Sequence, residues 1–155
     1  MLKSWHLMID LVFQNNTQEK APAEEFFMEI LEKGIEELKL EDKKVEVSLN
    51  LVDEAGIKEL NNKYRGKNVV TDVLSFPLGE SGQSKYDILP LGDIFICLPF
   101  AVQEAKRQEV SLEKELAQLT VHAFLHLLDY DHERSEEDAE KMTNLEVKIL
   151  SKLNI

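Results

Sequence analysis

The chain has 155 residues, 43% hydrophobic and 31% charged, enough apolar material for one globular core and too short for two full domains. Its 30 acidic residues against 18 basic ones give a net charge of −12, which excludes binding a polyanion through overall charge and confines any nucleic-acid contact to local patches. A lone cysteine, Cys97, excludes an internal disulfide framework and fits a reducing, intracellular setting; no run approaches the ~18 apolar residues of a membrane helix, and His6 and Asp10 interrupt the N-terminal apolar run, so neither a membrane partner nor a secretory signal is expected.

In chain order, the apolar run from Trp5 to Phe13, bounded by polar Gln14 to Thr17, predicts a first buried strand. Pro22 opens a helical stretch to about Leu40, with Phe26, Phe27, Ile30, Leu31, Ile35 and Leu38 on one stripe. Val45, Val47, Leu49 and Leu51 alternate with polar residues, the pattern of a half-buried strand. Asp53 then caps a short helix carrying Ile57, Leu60 and Tyr64, which ends at Gly66.

Asp72 to Phe76, followed by Pro77, predicts an edge strand, because proline cannot donate to a ladder. Gly79 to about Pro90 lacks core formers and reads as a mobile loop and candidate lid. Gly92 to Leu98 is a further strand, and Pro99 starts a helix to about Gln108. Ser111 and Ser135 cap the last two helices, whose inward faces carry Leu112, Leu116 and Leu119, then Met142, Leu145, Ile149 and Leu153. Four strands among five helices predict an α+β domain built on a small mixed sheet.

Three of the four histidines fall in the segment His122-Ala-Phe-Leu-His126-Leu-Leu-Asp-Tyr-Asp-His132. Histidines four apart project from one helix face, and a turn at Asp129 to Asp131 brings the third ring back to them. Three neutral imidazoles suit one Zn²⁺ per chain and leave a fourth coordination position open, as in catalytic zinc sites. A lone His-x-x-x-His pair is more often a solvated helix end than a ligand site; the third histidine favours the metal. Asp131 and Glu133 offer themselves as acceptors for a ligand imidazole, but each is more simply part of the solvated acidic segment from Asp129 to Glu146, with eight acids and two bases.

The spacing is that of a zincin helix, yet Ala123 stands where a metallopeptidase has its glutamate base, so the metal is kept and that peptidase chemistry is not. A second feature is cationic: Ala55 to Val70 holds four bases, Lys58, Lys63, Arg65 and Lys67, against one acid. Arg65 there is either a phosphate-binding guanidinium or a surface residue closing a helix C-terminus. Tyr64 and Phe76 are candidates for stacking on an unpaired base, although helical spacing with Ile57 and Leu60 favours a core role for Tyr64. Cys97 reads as a small buried hydrophobe.

The histidine segment resembles the His-Gly-x-Leu-His-Leu-x-Gly-Tyr-Asp-His signature of the YbeY endoribonucleases, matching it also at Leu125, Leu127, Tyr130 and Asp131. Two more blocks are similar to that family in the same order, Leu60 to Lys67 with Thr71 to Pro77, and Gly92-Asp93-Ile94. Ala123 and Asp129 depart from it, standing where the family usually has glycine. The resemblance implies an α+β fold, zinc on His122, His126 and His132, and a functionally important arginine at Arg65. It further implies a cytoplasmic endoribonuclease preferring single-stranded RNA, acting in 3′-end maturation of small-subunit (16S) rRNA and in ribosome quality control. The expected partners are single-stranded rRNA, the small ribosomal subunit and a ribosomal protein, and not DNA. The rival reading is a non-catalytic ribosome-assembly factor in which the zinc only staples the last two helices.

Overall fold

The structure, a computed structural model, describes residues 9–78 and 87–155. In chain order it contains β1 (Ile9–Asn15), α1 (Glu24–Glu37), β2 (Lys44–Val52), α2 (Glu54–Arg65), β3 (Val73–Pro77), β4 (Ile88–Cys97), α3 (Leu98–Gln108), α4 (Leu112–Leu127) and α5 (Glu136–Ser151). The sheet runs β1-β2-β4-β3; β1, β2 and β4 are parallel, and β3 pairs antiparallel with β4 at the edge that Pro77 predicts. The α+β class, the mixed four-stranded sheet and the five helices are therefore as expected. Among the described residues no helix is long and apolar enough to cross a membrane.

The helix boundaries follow their capping residues. The Asp53 carboxylate accepts from the Gly56 amide at 2.7 Å, the Ser111 hydroxyl from Lys114 at 3.1 Å and the Ser135 hydroxyl from Asp138 at 3.0 Å. Gly66 closes α2 in the left-handed region at φ 68°. Helix α1 starts slightly later than Pro22, at Glu24, with Ala23 as an N-cap that makes no side-chain bond.

Two strands run beyond their sequence-based limits. The last residues of β1 are Gln14 and Asn15, polar but paired to Asn50 and Leu51, so the partner strand extends the ladder past the apolar run; Trp5 to Met8 lie outside the described residues. The expected loop from Gly79 to Pro90 is corrected at its end: Ile88, Leu89 and Pro90 pair with Lys44, Val45 and Glu46. Proline is accommodated there because the register shifts between Glu46 and Val47, at a bulge. The remainder of that candidate lid, 79–86, lies outside the described residues.

Alternation along β4 divides the core between two faces of the sheet. Ile94 and Ile96 join the main cluster with α1, α4 and α5, while Phe95 and Cys97 join Val52, Ile57 and Leu74 in a smaller one under α2. Helix α4 is the centre of the molecule, packing against α1, α3, α5, β3 and β4. Burial of Leu116, Val121, Ala123, Phe124, Leu125 and Leu127 fixes its rotation and depth, so side chains on its remaining strip are held on a rigid support.

Gly92 joins this scaffold to the edge strand. It sits at φ 134°, opposite Pro77, and a Cβ there would collide with the backbone carbonyl oxygen of Phe76. Backbone cannot yield as a flexible side chain does. Gly92→Ala is therefore expected to cost about 2–5 kcal/mol, read as a lower urea midpoint, whereas Gly66→Ala, which meets open space, costs only about 1–2 kcal/mol of left-handed strain.

Candidate metal centre

The strip that α4 leaves uncovered carries His122 and His126, both half-buried. One helical turn apart, their rings lie 4.6 Å centroid to centroid, and the two Nε2 atoms are 3.2 Å from each other. Two nitrogens on one tetrahedral zinc at about 2.0–2.1 Å lie about 3.3 Å apart, so this pair already has the required spacing.

The third ring is returned by the way α4 ends. The Asp129 amide donates to the His126 carbonyl and the Tyr130 amide to the Leu125 carbonyl, each at 3.0 Å, with Asp129 at φ 72°. These are the paired bonds of a Schellman termination, whose left-handed residue is most often glycine. Asp129 adopts that conformation and its carboxylate takes a 2.6 Å bond from Arg134. The departure from glycine is thus tolerated, and the chain reverses as it should. His132, exposed, comes to 5.4 Å from the His122 ring and 5.5 Å from the His126 ring.

One donor atom from each of the three residues lies within 4.8 Å of the others. The set is all imidazole, a donor type that suits Zn²⁺, Cu, Fe or Ni more than Mg²⁺ or Ca²⁺. The residues fit a transition metal on geometry and on chemistry alike. Burial pushes the His126 imidazolium below its usual range, and the neighbouring His122 and His132 and the more distant Arg65 push it the same way against Asp131. A neutral ring is what a metal needs.

The acceptor for a histidine ring is a residue that the sequence reading does not single out. His122 Nδ1 donates to Glu146 Oε1 of α5 at 2.7 Å, which leaves its Nε2 lone pair facing His126. Asp131 instead accepts from the Glu133 amide at 2.8 Å and lies 3.7 Å from Arg134, within its own turn, as the solvated reading has it. The signal for Glu146 lies in the helical spacing: it falls four residues after Met142 and three before Ile149, an acid on an inward-facing stripe. Glu146→Gln is expected to weaken metal affinity about 10–100-fold without unfolding the protein, measured by competition with a chromogenic chelator.

The three rings open onto a cavity of about 570 Å³ whose other wall is the segment from α2 to β3. Arg65, Lys67, Asp72 and Ser75 line it. Arg65 is the last residue of α2; its Nη2 donates to the Ser75 carbonyl at 3.0 Å and its guanidinium lies 5.8 Å from the Phe76 ring centroid. Buried Asn61 donates to the Val69 carbonyl at 3.0 Å and holds the connecting loop closed. Arg65 thus ends its helix, as the surface reading has it, and also lines the cavity onto which the histidines open. Lys67 joins it in the wall. Tyr64 corrects its core assignment: it is 58% exposed, because the apolar stripe of α2 ends near Leu60. Cys97 is buried, with desolvation foremost in raising its thiol pKa, which fits an inert hydrophobe.

Comparison with known proteins adds an independent line. The sequence model of the family Endoribonuclease YbeY matches residues 11–154. The chain is 42% identical over 143 residues to the endoribonuclease YbeY of Sulfurihydrogenibium sp. (strain YO3AOP1), covering 92% of this chain and 91% of the relative. It is 48% identical over 112 residues to the Acinetobacter baumannii (strain ACICU) endoribonuclease YbeY, covering 71% of each. Among solved structures, the solution structure of TM1509 from Thermotoga maritima is similar with a TM-score of 0.60 at 30% identity, over 92% of this chain and 91% of that one.

Proposed function

The chain belongs to the YbeY endoribonuclease family, and from that premise we propose that it is a zinc-dependent hydrolase of single-stranded RNA, with one zinc per chain on His122, His126 and His132. The observation that carries the proposal is the convergence of three imidazoles and one arginine on a single open cavity. His122, His126 and His132 would hold the zinc, which would supply Lewis acidity and water activation for phosphodiester cleavage.

The chain's own residues supply the rest. Arg65 spends one donor on the Ser75 carbonyl, and that bond aims the remaining N–H groups of its planar fork. A phosphodiester in the cavity takes these as paired bonds to its non-bridging oxygens, which gain negative charge as the bond breaks. Lys67 adds positive charge to the same wall. Glu146 holds the His122 ring in one tautomer and one orientation. The nucleophile is either water or the RNA 2′-hydroxyl, and the end groups of the products distinguish them: a 2′,3′-cyclic phosphate excludes direct water attack at phosphorus.

In the cell we assign this activity to 3′-end maturation of small-subunit rRNA and to ribosome quality control in the cytoplasm. A net charge of −12 supports docking on a basic ribosomal protein of the small subunit, with RNA held only along the local cationic segment. The alternative of a purely structural zinc is disfavoured by the exposure of His132 and by the open cavity, since structural sites are closed by protein donors. The test is cleavage of matched single-stranded and duplex RNAs by zinc-loaded protein, with and without chelator. Cleavage confined to the single strand and abolished by chelation is expected; chelator-resistant or absent cleavage contradicts the reading.

A further inference from the structure

The exposed ring of Tyr64 is the feature that the metal and the arginine leave unexplained. Among the described residues seven large hydrophobic side chains are exposed, and Tyr64, 58% open to solvent, is the one aromatic ring of the set. Its ring does not hang free. It leans on Phe76 at 5.3 Å between centroids, and Phe76 contacts Phe95 edge-on at 5.8 Å, so the pair is anchored in the smaller core cluster. The ring is therefore held in place without being covered.

Its surroundings are the cationic part of an acidic protein. Lys63 Nζ lies 5.2 Å from the Tyr64 ring centroid, and the Arg65 guanidinium lies over Phe76. Arg65 and Ser75, the chain neighbours of Tyr64 and Phe76, line the metal cavity itself. A preset aromatic surface among cations, one residue along the chain from the Arg65 and Ser75 of the cavity wall, is what an unpaired base with its flanking phosphates requires.

We propose that Tyr64, seated on Phe76, is the stacking platform for one unpaired RNA base next to the phosphate that Arg65 holds, and that it is a source of the single-strand preference. This rests on the endoribonuclease reading above. A base inside a duplex keeps its faces against its neighbours and has none to offer the ring, whereas an unpaired base does. Lys63 and Lys67 then bear on the backbone, without reading sequence.

The test uses zinc-loaded protein and a single-stranded oligoribonucleotide carrying 2-aminopurine, whose fluorescence is quenched when it stacks. Wild-type protein is expected to quench the probe on mixing, before turnover. Tyr64→Ala is expected to abolish the quench and weaken binding about 5- to 100-fold, with the loss in kcat/KM carried by KM and zinc content unchanged. Tyr64→Phe and Tyr64→Trp are expected to restore both, since the ring and not the hydroxyl is used. Quenching by Tyr64→Ala equal to wild type, or failure of Tyr64→Phe to restore it, overturns the proposal. Tyr64-dependent quenching by a wild-type protein that cleaves no RNA leaves the platform standing and sinks the nuclease reading; cleavage with Tyr64-independent quenching does the reverse.

Discussion

Arg65→Ala is expected to keep its zinc and its fold and to lose about 10²–10³ in kcat. The side chain is exposed, and its one hydrogen bond to the Ser75 carbonyl is worth about 0.5–1.5 kcal/mol, so little stability goes with it. What goes is a set of donors lining the same cavity as three imidazoles, where the proposed reaction places its phosphodiester. Arg65→Lys is expected to recover little, because an ammonium is a point charge and cannot bond the Ser75 carbonyl and grip two phosphate oxygens in one plane. Single-turnover kinetics with metal content measured on the same samples checks this. Equal cleavage by wild type and Arg65→Ala removes Arg65 from the chemistry.

His126→Ala is expected to reduce cleavage to background, because it removes the ring that shares a 3.2 Å nitrogen contact with His122 and leaves two ligands where three are needed. The same ring makes the metal-free protein sensitive to acid. Desolvation, foremost, holds the His126 pKa below the ordinary 6.5, so between the lowered value and 6.5 the unfolded chain binds a proton that the folded chain does not. Stability of the metal-free protein therefore falls as pH drops below about 6.5, and His126→Ala is expected to flatten that slope in urea titrations. In the loaded protein, acidification is expected to release metal and end cleavage together, since only neutral imidazoles coordinate.

The parts of this account legible in the sequence are those set by local physics. Alternation from Val45 to Leu51 places β2, and Asp53, Ser111 and Ser135 place their helices through bonds made within three residues. The 4-then-6 histidine spacing works for the same reason: a helical turn and a Schellman reversal are local, and Asp129 is a residue able to take the left-handed angle. What the sequence conceals is what tertiary packing decides. Glu146 reaches His122 across 24 positions only because α5 lies against α4. Tyr64 has the spacing of a core residue, but the packed stripe of α2 ends near Leu60 and the ring only leans on Phe76 from outside. Pro90 looks like the end of a loop until the bulge in its pairing with β2 makes room for it.

Metal content by mass spectrometry under native conditions, on protein purified without added metal and on the His122, His126 and His132 alanine variants, tests the centre most directly. One zinc per chain in the wild type and none in any of the three variants is the predicted result. A wild type without bound metal, or a variant that keeps its metal after losing one of these rings, contradicts it.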